Sequence, residues 1–128
     1  MTVMLDPSEV PSAPKKRTFD TGATRDLDTN KLDFEGFLSP LVIERYAQYL
    51  NKHRTMADGS VRDSDNWQKG IPLTVYMKSA LRHVMALWAS HRGWPAKEDI
   101  TTSLCALIFN ASGYLHELEK KRLGNNQP

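Results

Sequence analysis

Cysteine is nearly absent: Cys105 is the only one in 128 residues. No internal disulfide can form, and a reducing compartment is the easier setting. Neither sign of charge dominates, with 17 Lys and Arg against 15 Asp and Glu and a formal net charge of +2. That balance gives no case for a protein that lives on nucleic-acid phosphates. Long apolar runs are missing too. The longest uncharged stretch, Ile100 to His116, is interrupted by Thr101, Thr102, Ser103, Asn110, Ser112 and Gly113, which reads as a buried helix and not a membrane span. The first residues meet Asp6 and Pro7 before an apolar segment could form, so no signal peptide is expected. A cytoplasmic chain without a membrane partner follows as the expectation. With 40% hydrophobic and 25% charged residues, the composition is that of an ordinary globular domain. It excludes a wholly disordered tail protein, a collagen-like repeat and a disulfide-rich miniature.

Familiar catalytic signatures are missing as well. There is no GxGxxG, Walker loop, HExxH, CxxC pair or GxSxG elbow. Four histidines and one cysteine argue against a structural zinc site. Cys105, set among Leu104, Ala106 and Leu107, reads as a small core residue.

What is present divides unevenly. Residues 1–37 carry five Lys/Arg against seven Asp/Glu, and residues 38–128 carry twelve against eight. The first 17 residues, with Pro7, Pro11 and Pro14, read as a mobile tail. Residues 18–37 interleave acidic groups with Phe19, Leu27, Leu32, Phe34 and Phe37. They are expected to drape over the fold without regular periodicity. Three helical segments follow. Ser39-Pro40 is a start signal, after which Leu41, Val42, Tyr46, Tyr49 and Leu50 keep helical spacing to about Arg54. The second segment follows Pro72, with Thr74 as a cap, and Gly93 and Pro95 end it. The third runs from about Ile100 to Leu123, capped near Asp99 or Thr101, with Gly124 as a stop. The fold class is therefore all-α, a small bundle of three main helices with an irregular N-terminal segment. One domain over 18–123 and a C-terminal tail over 124–128 are expected. Three helices bury little for this length, so a homodimer or homotetramer is a fair expectation. The connection from Thr55 to Pro72 is long for a compact domain, and such loops tend to be functional or disordered; we read it as functional.

Two stripes of small residues flank single polar ones. Ser79, His83, Ala86 and Ser90 share one face of the second helix, and Ser103, Ala106, Asn110, Gly113 and Glu117 share one face of the third. They leave room either for close helix packing, with His83 and Asn110 satisfied by each other or by backbone, or for a polar pocket holding a metal and phosphates. Glu44 beside Arg45 suits a surface ion pair or a site. Glu98-Asp99 suits the positive end of a helix dipole or metal ligation. In the long loop, Asp63, Asp65, Asn66, Trp67 and Lys69 supply oxygens, an aromatic platform and a cation, a set that suits a base and its phosphates as well as a solvated loop.

Five blocks together resemble one family: FDTGATRD at 19–26, KLDFEGFLSPLVIERYAQYLNKHR at 31–54, SDNWQKGIP at 64–72, YMKSALRHVMALWASHRG at 76–93 and EDITTSLCALIFNASGYLHEL at 98–118. They are similar to the phage-encoded dATP/dGTP diphosphohydrolase N-terminal domain, a relative of the MazG-like all-α pyrophosphohydrolases, over roughly residues 18–119. The resemblance implies cleavage of a purine deoxynucleoside triphosphate to the monophosphate and pyrophosphate, with Mg²⁺ or Mn²⁺ as cofactor. On that reading Glu44, Glu98 and Asp99 are the metal carboxylates, and His83 and Asp99 the catalytic groups. Arg25, Lys31, Lys69, Arg82 and Asn110 face phosphates, while Asp63, Asn66 and Trp67 recognise base or sugar. The sequence departs from the wider superfamily by carrying neither its ExxE nor its ExxD pair. An altered metal site, a nucleotide-binding or sequestering protein without turnover, and a helical interaction module for protein or DNA therefore stand as alternatives.

Overall fold

The computed structural model describes residues 16–27 and 29–125. Most of the expected N-terminal tail, and residues 126–128 of the expected C-terminal one, lie outside the described residues. The chain forms two compact units that divide at Ser39–Pro40.

The first unit carries local order that period-two reading misses. Strands β1 (Lys16–Thr18) and β2 (Thr24–Asp26) pair antiparallel. Gly22, at φ 89°, closes the turn between them, a conformation glycine adopts without steric cost. A one-turn helix, α1 (Phe34–Phe37), follows, capped by the Asp33 side chain, which accepts from the Gly36 amide at 3.0 Å.

The second unit is the helical bundle: α2 (Pro40–Lys52), α3 (Leu73–His91) and α4 (Ile100–Asn125). α3 and α4 form the main packed pair, and α2 lies against α4. The seam between α3 and α4 is the small-residue stripe: Ser103, Ala106, Asn110 and Gly113 are all buried. They make room for Tyr76, 1% exposed. At Gly113 a Cβ would overlap the Tyr76 ring, so the glycine is required by close approach. Asn110 is satisfied locally, its Nδ2 donating to the Ala106 carbonyl at 2.8 Å. Tight packing is thus what the stripe achieves. Cys105 is buried beside it.

Helix ends follow capping chemistry with two differences from expectation. Asp99 caps α4, its Oδ1 accepting from the Thr102 amide at 2.8 Å. α3 starts directly after Pro72 without a side-chain cap, so Thr74 sits in its first turn. Gly124 does not stop α4, which continues to Asn125; Gly124 is not among the glycines with positive φ, so it makes no left-handed cap there. α2 runs antiparallel to α4: the Tyr46 hydroxyl meets Ser112, while Tyr49 lies toward Cys105 and Glu98. Burial pushes the Tyr46 hydroxyl up to about 12.

Large apolar side chains stay exposed in numbers, including Leu41 at 82%, Met85 at 59% and Trp88 at 52%. Among the described residues, no helix is long and apolar enough to cross a membrane.

Candidate functional site

The long connection is ordered by its own backbone. Thr55 bridges Val61, and Arg54 and Arg62 are tied twice, the Arg62 amide donating to the Arg54 carbonyl at 2.9 Å and Arg54 Nε donating to the Arg62 carbonyl at 2.8 Å. Asp58 fastens the turn by accepting from the Ser60 hydroxyl and amide, which holds its carboxyl below the usual range. The chain then makes a 3-10 turn over Asn66–Lys69, and Lys120 of α4 donates to the Gln68 carbonyl at 3.4 Å.

This arrangement delivers Trp67 to the bundle. Its ring meets Phe109 edge-on at 6.3 Å and His116 at 4.7 Å. Between that wall and α2 lies a cavity of about 280 Å³, bounded also by Tyr49 and His53, with Arg54, Arg62, Asp63 and Asn66 at its polar side. Asp63, Asn66 and Trp67, singled out in the sequence, come together here. Tyr49, His53, Arg54, Arg62 and Phe109 complete the cavity and were not singled out. Their sequence signal is Tyr49 and His53 one helical turn apart, with Arg54 following, just before the loop. His53 stacks on Tyr49 at 4.1 Å, and its Nδ1 lies 2.9 Å from the Tyr49 carbonyl. A carbonyl only accepts, so Nδ1 is the donor in this contact.

A second hollow, about 500 Å³, lies where α3 turns into α4 and includes Arg82, His83, Lys97 and Glu98. Gly93, at φ 80°, makes that turn. His83 Nδ1 donates to Glu98 Oε1 at 2.5 Å, both side chains being about one-quarter to one-fifth exposed. The carboxylate fixes the ring orientation. The Tyr49 ring borders the first hollow, and burial, then the charge of Glu98, pushes its hydroxyl up.

The other expected site residues are placed elsewhere. Lys69 ends the 3-10 turn, exposed. Asn110 is buried in the α3–α4 seam, outside both hollows. Arg25 and Lys31 belong to the first unit. The three carboxylates expected to share a metal are each engaged: Glu44 by Gln48 Nε2 at 3.4 Å, Glu98 by His83, and Asp99 by its own helix start. Among the described residues, no group of three or more His, Cys, Asp or Glu side chains is placed to hold a metal ion. Mg²⁺ is usually held by one or two carboxylates, waters and a substrate's phosphates and does not need such a closed cage.

Comparison with family models, curated proteins and solved structures returns no match.

Proposed function

We propose that this chain binds a purine deoxynucleoside triphosphate, dGTP or dATP, and cleaves it to the monophosphate and pyrophosphate. The observation that carries the reading is the Trp67 cavity, aromatic on its walls and cationic at one side. Its volume of about 280 Å³ lies near the small end of small-molecule sites. It suits a base with its sugar, and leaves the phosphates outside it. Trp67 and Phe109 supply the stacking surface, Asn66 and Asp63 offer hydrogen bonds to base or sugar, and Arg54 and Arg62 offer charge-assisted bonds to phosphate.

In this reading the His83–Glu98 pair is the base, His83 Nε2 taking the proton of a water attacking the α-phosphorus. The new P–O bond forms as the bond to the leaving pyrophosphate breaks. Mg²⁺ or Mn²⁺ enters in this reading as part of the substrate, bound to its phosphates. Lys97 and Arg82 line the hollow that holds His83 and add positive charge there. The cytoplasm, a host's if the gene is phage-borne, supplies such substrates. Self-association into a dimer or tetramer is part of the proposal, supported by the apolar side chains left uncovered.

The engagement of Glu44, Glu98 and Asp99 favours one second reading, a protein that binds or sequesters the nucleotide without cleaving it. Incubation of the full chain with each deoxynucleotide plus Mg²⁺ or Mn²⁺, followed by chromatography, separates the two. Monophosphate and pyrophosphate from a purine substrate support cleavage. Intact triphosphate that nonetheless raises the melting temperature supports binding alone.

A further inference from the structure

We infer that Lys120, held in place by Glu117, is a positioning residue that sets where Trp67 stands in its cavity. The 3-10 turn Asn66–Lys69 carries the indole to the bundle, yet its start has no side-chain cap. Three side chains of α4 meet this stretch in turn. His116 meets the Trp67 ring at 4.7 Å, and Lys120 Nζ donates to the Gln68 carbonyl at 3.4 Å. Glu117 Oε1 lies against Gly70, 3.9 Å from where a Cβ would stand. Gly70 has φ 124°, so the chain leaves the turn through a conformation that glycine adopts and other residues avoid. Spacings of three and four residues put Glu117, His116 and Lys120 within reach of one another on the helix surface.

Glu117 and Lys120 are unequal partners. Their charged atoms lie 3.1 Å apart, with the Glu117 side chain 18% exposed and that of Lys120 47%. The carboxylate is therefore the fixed member. An ammonium has three donors, so one can face Glu117 while another reaches Gln68. A lysine without such a partner spreads over many rotamers and would hold the turn only part of the time. Trp67 is the wall of the cavity that this turn supplies. Apparent affinity falls with the fraction of molecules in which a site is assembled, so a loosened turn weakens whatever the cavity binds. Only this effect on affinity rests on the nucleotide reading above; the clasp itself does not.

Acrylamide quenching of Trp67 fluorescence reads the clasp directly. The chain has three tryptophans, so the full-length parent carries Trp88→Phe and Trp94→Phe to leave one indole. Lys120→Met, which keeps the stem and removes the ammonium, raises the quenching constant, and Lys120→Arg restores it. Glu117→Gln gives a smaller rise in the same direction. Arg122→Met breaks the Arg122–Glu119 pair on the same helix and leaves quenching at the parent value. Calorimetry shows dGMP bound about threefold more weakly by Lys120→Met, the size expected of a half-exposed charged contact, and at the parent affinity by Lys120→Arg. Parent-like quenching in Lys120→Met, an equal rise in Arg122→Met, or a dGMP affinity that holds while quenching rises would overturn the inference. Absence of dGMP binding in the parent, with quenching that follows Lys120, would instead leave the clasp standing and sink the Trp67 cavity as a base site.

Discussion

Gly113 shows how a single side chain governs the bundle. The Tyr76 ring occupies the space where a Cβ would stand, and Tyr76 is the largest fully buried side chain among the described residues. Gly113→Ala should therefore destabilise the protein by about 2 kcal/mol or more, as overpacking does, despite alanine's better helix propensity. Urea denaturation measures it, and an unchanged or higher midpoint would contradict the packing described. This position was legible as part of a small-residue stripe, because helical spacing alone puts Ser103, Ala106, Asn110 and Gly113 on one face. The partner of His83 was not. Glu98 lies 15 residues away, across a turn whose geometry depends on Gly93, and no periodicity reports such a contact. Asn110 was legible as buried and polar, yet its bond to Ala106 rather than to His83 depends on side-chain direction. The cavity residues Tyr49 and His53 were hidden for a similar reason: helical spacing gives their common face, and only the path of the loop supplies the opposing wall.

At the scale of elements, the long helices were legible and the small ones were not. Proline, serine and glycine signals bracket α2 and α3 within a few residues, and Asp99 marks the start of α4. Strands of three residues are too short for a period-two pattern to register. The cap of α4 makes a pH-dependent contribution. The Thr102 hydroxyl and amide hold the Asp99 carboxyl below its ordinary value, with the charges of Arg45 and Lys52 adding to this. A carboxyl depressed in the folded state contributes stability above its unfolded value, and loses it as the pH falls through the lower, folded value. Melting temperatures recorded between about pH 5 and pH 2 should fall less steeply for Asp99→Asn than for the wild type. Part of the slope should persist, because Asp58 is depressed in the same way by Ser60. Superimposable curves would contradict the capping role.

The whole molecule is defined by how little one chain covers. Among the described residues, Tyr76, Cys105 and Ala106 are the buried hydrophobic ones, while Leu81, Met85 and Trp88 on α3 and Leu104, Leu115 and Leu118 on α4 stay exposed. Scattered apolar side chains on a surface are ordinary, but contiguous helical faces of them mark interaction sites. Light scattering after size exclusion should give a dimer or larger assembly at micromolar concentration, and Leu81→Glu with Trp88→Glu should shift it toward the monomer. A monomeric wild type would contradict the proposed assembly.

The claim on which the functional account turns is that the Trp67 cavity seats a purine. Titration of dGMP, dAMP, dCMP and dTMP into the full chain, followed by calorimetry, tests it without requiring turnover. The account predicts binding of a purine monophosphate, weaker or absent binding of both pyrimidines, and a loss of about 1–3 kcal/mol in Trp67→Ala, the range for removing a stacked aromatic. Equal binding of all four bases, or a purine affinity that survives Trp67→Ala in a folded protein, would contradict it.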